Sequence, residues 1–315
     1  MVASELELFG VRTSARIKSM PATATPEPGL YNLVEFDQYH RWKDPDGWPL
    51  CNASALNQLA KSPAHYWHYA TSESEPSAAM RFGTLCHAGQ LEPEAIRARF
   101  CCIPPDLYRD VKKKDGTPAT NPQSTTAGKK LKAEFLRKHK GKTVVTVEEF
   151  GRMLALVTSL KSNAHAMSYL TTGHPEYTIV WDDAETGIRC KARLDYWQGD
   201  RDRVTDLKTT RDASAPAFQR ALVNYGYYRQ AAWYLEAAQQ AGLDAQYFAF
   251  VAVESEAPHG ITAAEVHPET LEQGKRENRA LLRQLQNCRT QDHWPSYECP
   301  GCWELPSWAK TNPER

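Results

Sequence analysis

The sequence predicts a mixed α/β fold, a central sheet flanked by helices, on three observations. Three consecutive strand-like runs, 176–181, 187–197 and 203–209, are separated only by short polar turns. Helical patterns precede and follow them, so helices and strands alternate along the chain. With 315 residues and 41% hydrophobic content, the chain can bury a core between a sheet and its helices.

Residues 1–30, rich in Pro, Ala and Thr from residue 12 onward, are expected to form an irregular lead-in. Residues 31–315 are expected to form a single domain, with no long linker and no internal repeat. Residues 54–70 read as a helix broken near Pro63, and residues 78–90 as another. Residues 104–128 form a polar loop rich in Pro, Lys and Thr, of a length that suggests a mobile element. A helix near 127–139 and a short strand at 142–145 follow. Thr146-Val-Glu-Glu149 is a capping box that opens a long helix to about Leu170. Beyond the three strands, Asp212 or Ser214 caps a short helix, and a second runs from about Asn224 to Ala241, stopped by Gly242. Residues 245–254 and 260–267 alternate as strands, and an amphipathic helix over 268–288 carries Leu271, Leu281, Leu282 and Leu285.

The three central strands carry the chemistry. Side chains alternate faces along a strand. Ile188, Cys190, Ala192, Leu194 and Tyr196 are therefore expected on one apolar face, and Arg189, Lys191, Arg193 and Asp195 on the other. In the third run Asp206 and Lys208 share a face with Val204, while Thr205 and Leu207 point away. A hairpin at 198–202 brings Asp195 and Asp206 to one edge, with Lys208 a step further. Glu176 adds a third acid from the first run. Carboxylates suit a hard divalent cation, and a neighbouring lysine can orient water or offset charge on phosphate. The triplet alone says little, since Asp110-Val-Lys112 repeats it in a stretch that reads as a solvated loop.

The order Glu176, Asp195, Asp206-Leu-Lys208 on consecutive strands resembles the PD-(D/E)xK nuclease superfamily. Gln230-Ala-Ala-Trp-Tyr234 is similar to the helical Gln-x-x-x-Tyr motif of RecB-type nucleases. Residues 52–66 and 80–93, the latter containing His87, resemble the exonuclease VIII (RecE-type) nuclease domain. The likeness covers roughly residues 50–308 and implies a restriction-endonuclease-like core. It implies a Mg2+-dependent (or Mn2+-dependent) 5′-to-3′ exodeoxyribonuclease that degrades one strand of linear double-stranded DNA, leaving a 3′ overhang for recombination. On the same likeness His87, Glu176, Asp195 and Asp206 are metal ligands, with the Leu207 carbonyl as an extra one. Lys208 is the catalytic lysine, with Gln230 and Tyr234 beside the metal shell or the DNA backbone. Arg81 and Ser54 fall near a 5′-phosphate at the cleft entrance. Implied partners are DNA ends, a single-strand annealing protein and further copies of the chain in a ring. Without the likeness His87 reads as a packing residue on an apolar helix, since imidazole is softer than Mg2+ prefers.

Two other readings remain beside this one: an endonuclease of the same fold, and a module that binds DNA ends without cutting. The intact Asp195, Asp206 and Lys208 set argues against the second. The 38 basic and 38 acidic residues balance, which argues against a nonspecific nucleic-acid binder but leaves room for a local basic groove. Arg189, Lys191 and Arg193 are expected to form part of that groove. No run approaches the ~20 apolar residues of a membrane helix, and the acidic N-terminus lacks a secretory pattern, so a cytoplasmic protein is expected. Eight cysteines are expected to be reduced. Cys288, Cys299 and Cys302, with Cys51, could hold an iron–sulfur cluster or Zn2+, although the late spacing departs from that of cluster-bearing relatives and free thiols are the plainer reading.

Overall fold

Seven strands form the central sheet of the computed structural model, which describes residues 17–18, 25–32, 34–72, 76–113, 115–298 and 301–305. Along the chain the elements are β1 (Ile17–Lys18), β2 (Gly29–Tyr31), α1 (Phe36–Arg41), α2 (Ala53–Leu59), α3 (Pro63–Thr71), α4 (Ala78–Leu91), α5 (Ile96–Arg99) and β3 (Phe100–Cys102). Next come α6 (Thr126–Lys138), β4 (Thr143–Val145), α7 (Val147–Ser162), α8 (Ala164–Met167), β5 (His174–Asp182), β6 (Arg189–Gln198) and β7 (Arg203–Thr210). The chain continues through α9 (Ala215–Asn224), α10 (Tyr227–Gln240), β8 (Tyr247–Glu254), β9 (Ile261–Glu265) and α11 (Pro268–Gln291).

The sheet order is β1-β2-β5-β6-β7-β8-β9. Strands β5, β6 and β7 form the expected antiparallel meander. β7 and β8 are parallel, which requires a crossover, and α9 and α10 supply it. β3 and β4 make a separate parallel pair. Of the expected irregular lead-in, Ile17–Lys18 and Gly29–Leu30 pair at the sheet edge; residues 1–16 and 19–24 lie outside the described residues.

Local chemistry sets the boundaries. Ser62 caps α3, and Pro63 takes its first position, where a missing N–H costs nothing. The capping box closes as expected: Glu149 N donates to Thr146 Oγ1 at 3.0 Å, and Thr146 N donates to Glu149 Oε2 at 2.8 Å. The helix it opens stops at Ser162 rather than Leu170, because Asn163 Oδ1 accepts from Ala166 N at 3.0 Å and starts α8. Helix α10 begins at Tyr227 rather than Asn224, because Gly226 takes a left-handed turn at φ +65°. The β5–β6 turn is tied by Asp183, whose Oδ1 accepts from Thr186 N at 2.9 Å and whose Oδ2 lies 2.5 Å from Arg279 Nη1 on α11.

Packing falls into three clusters. One face of the sheet packs Trp233, Leu235, Leu282, Leu285, Leu56 and Leu59 against Ile179, Ala192, Val204 and Phe248. The other packs Phe82, Leu85, Met153, Leu156 and Leu160 of α4 and α7 against Leu207, Val251 and Val253. Tyr31, Val34, Tyr39, Trp42 and Leu50 cover Val180 in a third. Each fully buried side chain of this size contributes about 1.5–3 kcal/mol. Among the described residues no helix is long and apolar enough to cross a membrane.

Candidate active site

The site forms where the sheet ladder is interrupted. Pro175 pairs with Tyr196 and Tyr177 with Leu194, but Glu176 and Asp195 between them do not pair. Glu176 has φ +59°, a region that non-glycine residues avoid at a cost of roughly 1–3 kcal/mol. The side-chain alternation of β6 slips at the same place: Leu194 packs in the first cluster and Tyr196 in the second. Tyr196 therefore leaves the apolar face expected from strict alternation. Pairing of β6 with β7 covers only Gln198–Arg203, Trp197–Val204 and Tyr196–Thr205. One step further the Leu207 N–H donates to the Asp195 carboxylate instead, at 2.9 Å.

Helix α4 brings His87 over this gap, with Nδ1 3.3 Å from Asp195 Oδ2. One donor atom each from His87, Glu176 and Asp195 lies within 4.8 Å of the others. Arg193, the next polar residue back along β6, ion-pairs with Glu176. Asp206 stands outside that triangle. Its Oδ2 lies 2.6 Å from Lys208 Nζ, and its Oδ1 accepts from Gln230 Nε2 at 3.2 Å. Gln230 Nε2 also donates to Tyr234 Oη at 3.0 Å, as expected for residues a helical turn apart. Lys208 Nζ sits 4.8 Å from the centre of the Tyr227 ring.

Burial sets the electrostatics. It pushes Asp195 up to about 6, against the pull of Lys208 and the Leu207 N–H. It pushes Asp206 up to about 6 as well, helped by the Asp195 charge. Burial raises Glu176 too, opposed by Arg193. Burial lowers His87, against nearby Asp206 and Glu176, and so favours the neutral imidazole that ligates metal. For Lys208 burial works against the ammonium, but Asp206 and Asp195 outweigh it and hold the pKa above the ordinary lysine value. Two carboxylates, Glu176 and Asp195, with one imidazole favoured in its neutral form are a donor set that suits Mg2+ or Mn2+. The residues fit a divalent metal.

The remaining expected site residues are placed differently from one another. Lys191 is only 2% exposed, and its Nζ donates to the Tyr39 carbonyl at 2.6 Å. Arg189 is paired with Asp182 at 2.7 Å, and Arg193 is taken by Glu176. The expected phosphate-facing groove is thus corrected: Arg189, Lys191 and Arg193 lie on an internal strand, and Val34, Tyr39, Trp42 and Leu50 pack over that face around Val180. Of the two places expected for Tyr234, its hydroxyl faces Gln230 beside Asp206 while its ring packs in the first cluster. Arg81 and Ser54 are exposed, Arg81 donating to the Pro76 carbonyl at 2.7 Å; among the described residues no hydrogen bond or ion pair joins either to the acids. Cys51, Cys288 and Cys302 do not converge on a metal-binding group, and Cys299 lies outside the described residues. Sequence reasoning missed Tyr227 beneath Lys208, and Glu92, which adds its negative charge near Glu176 and Arg193. Tyr227 was one of a crowd of aromatics, and Glu92 sits just past a helix end with no local signal.

The profile of a family described as a PDDEXK-like domain of unknown function (DUF3799) matches residues 52–305. No curated protein matches the chain. Among solved structures, a candidate exonuclease from Eubacterium rectale is similar at 14% identity and a TM-score of 0.48, over 76% of this chain and 81% of that one. A phage-related exonuclease from Haemophilus somnus 129PT is similar at 12% identity and a TM-score of 0.31, over 59% and 93%. An alkaline exonuclease from Laribacter hongkongensis is similar at 16% identity and a TM-score of 0.25, over 64% and 97%.

Proposed function

We propose that this chain, which belongs to the PDDEXK-like DUF3799 family, is a metal-dependent nuclease that degrades one strand of linear duplex DNA from the 5′ end and leaves a 3′ overhang. The observation that carries the reading is the convergence of His87, Glu176 and Asp195 beside an Asp206–Lys208 pair at 2.6 Å. His87, Glu176 and Asp195 would hold Mg2+ or Mn2+, which supplies Lewis-acid stabilisation of charge on phosphate. Lys208, kept as an ammonium by its acids, orients a water and offsets negative charge at the scissile phosphate. Asp206, 2.6 Å from Lys208, holds that ammonium in place at the site. Gln230 fixes the Asp206 carboxylate, and Tyr234 fixes Gln230. A ring-shaped oligomer and a single-strand annealing partner belong to the same proposal and rest on family likeness alone; sedimentation with and without DNA tests the first.

Digestion in Mg2+ of linear duplex labelled at either end, with and without a 5′-phosphate, tests the activity against a covalently closed circle. The expected result is release of the 5′ label first and an intact circle. Cleavage of the circle would assign an endonuclease, and binding without cleavage a DNA-end module. If Lys208→Ala or Asp206→Ala digests linear duplex at the wild-type rate, the site is misassigned.

A further inference from the structure

Beside Lys208 a strip of aromatic rings runs out to solvent. The Tyr227 ring that underlies the ammonium lies 5.5 Å from the Tyr225 ring, and on its inner side 5.7 Å from Phe250. Tyr225 is 64% exposed and Val223 beside it 68%. The turn that presents Tyr225 is fixed by its neighbours. Gly226 bends the chain at φ +65°, and a Cβ there would meet Asn57 Oδ1 at 2.3 Å. Asn57 Nδ2 donates to the Tyr225 carbonyl at 3.1 Å, and Asn57 Oδ1 accepts from Arg229 Nη2 at 3.0 Å. Arg229 is anchored in turn to Glu277 on α11 at 3.0 Å. Helices α2, α10 and α11 therefore fix the backbone of a residue whose ring meets Tyr227 and is otherwise mostly bare. Next to it, exposed Arg220 lines a shallow groove on α9 with Pro216, Gln219 and Val223.

An exposed aromatic on a fixed turn, two ring spacings from the Lys208 ammonium, matches a substrate that places a flat ring one or two nucleotides from the phosphate it presents. We infer that Tyr225 is a base-stacking platform: its ring receives a nucleobase of the strand being cut, next to the phosphate at Lys208. Arg220 takes a backbone phosphate further along the strand. This rests on the nuclease reading and deepens it. Stacking tolerates any base, because every base has a π face, so the contact positions the strand without selecting sequence.

The test uses the full chain, Tyr225→Ala and Tyr225→Trp, and 5′-phosphorylated duplexes with either normal or abasic terminal nucleotides. KM and kcat are measured in Mg2+, and affinity is measured by fluorescence anisotropy in EDTA. Tyr225→Ala is expected to raise KM and weaken binding about tenfold on normal ends, with kcat little changed, and to match wild type on abasic ends. Tyr225→Trp should keep wild-type values, and terminal 2-aminopurine should be quenched by wild type but not by Tyr225→Ala. Arg220→Ala should weaken binding equally on both ends and flatten the salt dependence. The inference is overturned if Tyr225→Ala equals wild type on normal ends, or loses the same factor on abasic ends, as a merely structural residue would. It is also overturned if Tyr225→Ala changes only the oligomeric state. If wild type binds DNA without cutting, the nuclease reading fails, and the anisotropy comparison still decides the stacking contact.

Discussion

Gln230 on α10 holds Asp206 on β7, with Nε2 3.2 Å from Oδ1, and the same nitrogen is 3.0 Å from the Tyr234 hydroxyl. The helix of the β7–β8 crossover thus sets the rotamer of a carboxylate on the strand it connects. Gln230→Ala is expected to lower kcat roughly 10- to 100-fold, within the range of a misplaced site residue, with little change in melting temperature. Single-turnover kinetics beside thermal melts check this.

His87 and Asp195 approach within 3.3 Å, and with Glu176 they form the candidate metal triangle. Mn2+ should raise the melting temperature of wild type by mass action. His87→Ala and Asp195→Asn should each weaken Mn2+ binding, read by calorimetry, by about tenfold or more. The loss for His87→Ala should be larger for Mn2+ than for Mg2+, because imidazole suits the softer ion.

Burial pushes Asp195 and Asp206 each up to about 6. Between the ordinary carboxylate range near pH 4 and about pH 6, the folded protein therefore holds protons that the unfolded chain has released. Without divalent metal, stability should rise as pH falls through about 6, and the gain should be complete below about 4. An effect on the order of 2 kcal/mol is expected. Urea unfolding in EDTA at pH 5 and pH 7.5 measures it. The Asp195→Asn, Asp206→Asn double variant should show a smaller difference between the two.

Lys191 is the opposite case, a buried lysine whose pKa falls to about 7 because burial disfavours its charge. The cost of its charge should be fully present below pH 7 and relieved as pH rises from about 7 toward the ordinary lysine value. Lys191→Met should be more stable than wild type at pH 6, and that advantage should shrink by pH 9.5; chemical denaturation at both pH values is the check. The orphaned Tyr39 carbonyl offsets part of the gain, by about 1–3 kcal/mol. DNA affinity should not change, since the side chain does not reach the surface.

Local periodicity made much of this site legible. Alternation correctly put Asp206 and Lys208 with Val204 and away from Leu207, because β7 stays regular across them. The capping box at Thr146 and the break at Pro63 are decided within a few residues, and both appear as read. Alternation failed at Tyr196, because the left-handed turn at Glu176 and the unpaired Asp195 shift the phase by one. It also misjudged Lys191, because the cover comes from Tyr39 and Trp42, far away in sequence. His87 entered only through family likeness; its helix alone gives no sign that Asp195 lies beside it.

The Leu207 N–H that Asp195 claims would otherwise be available to the β6–β7 ladder, which stops at Tyr196–Thr205. The acid stands in for a strand partner, a side chain taking the place of a backbone carbonyl where the ladder ends. Removing the Asp195 carboxylate therefore strips the Leu207 N–H of its acceptor as well as taking one acid from the candidate metal triangle. In this molecule the candidate site and the sheet ladder thus share a backbone group, the Leu207 N–H, and one carboxylate holds it.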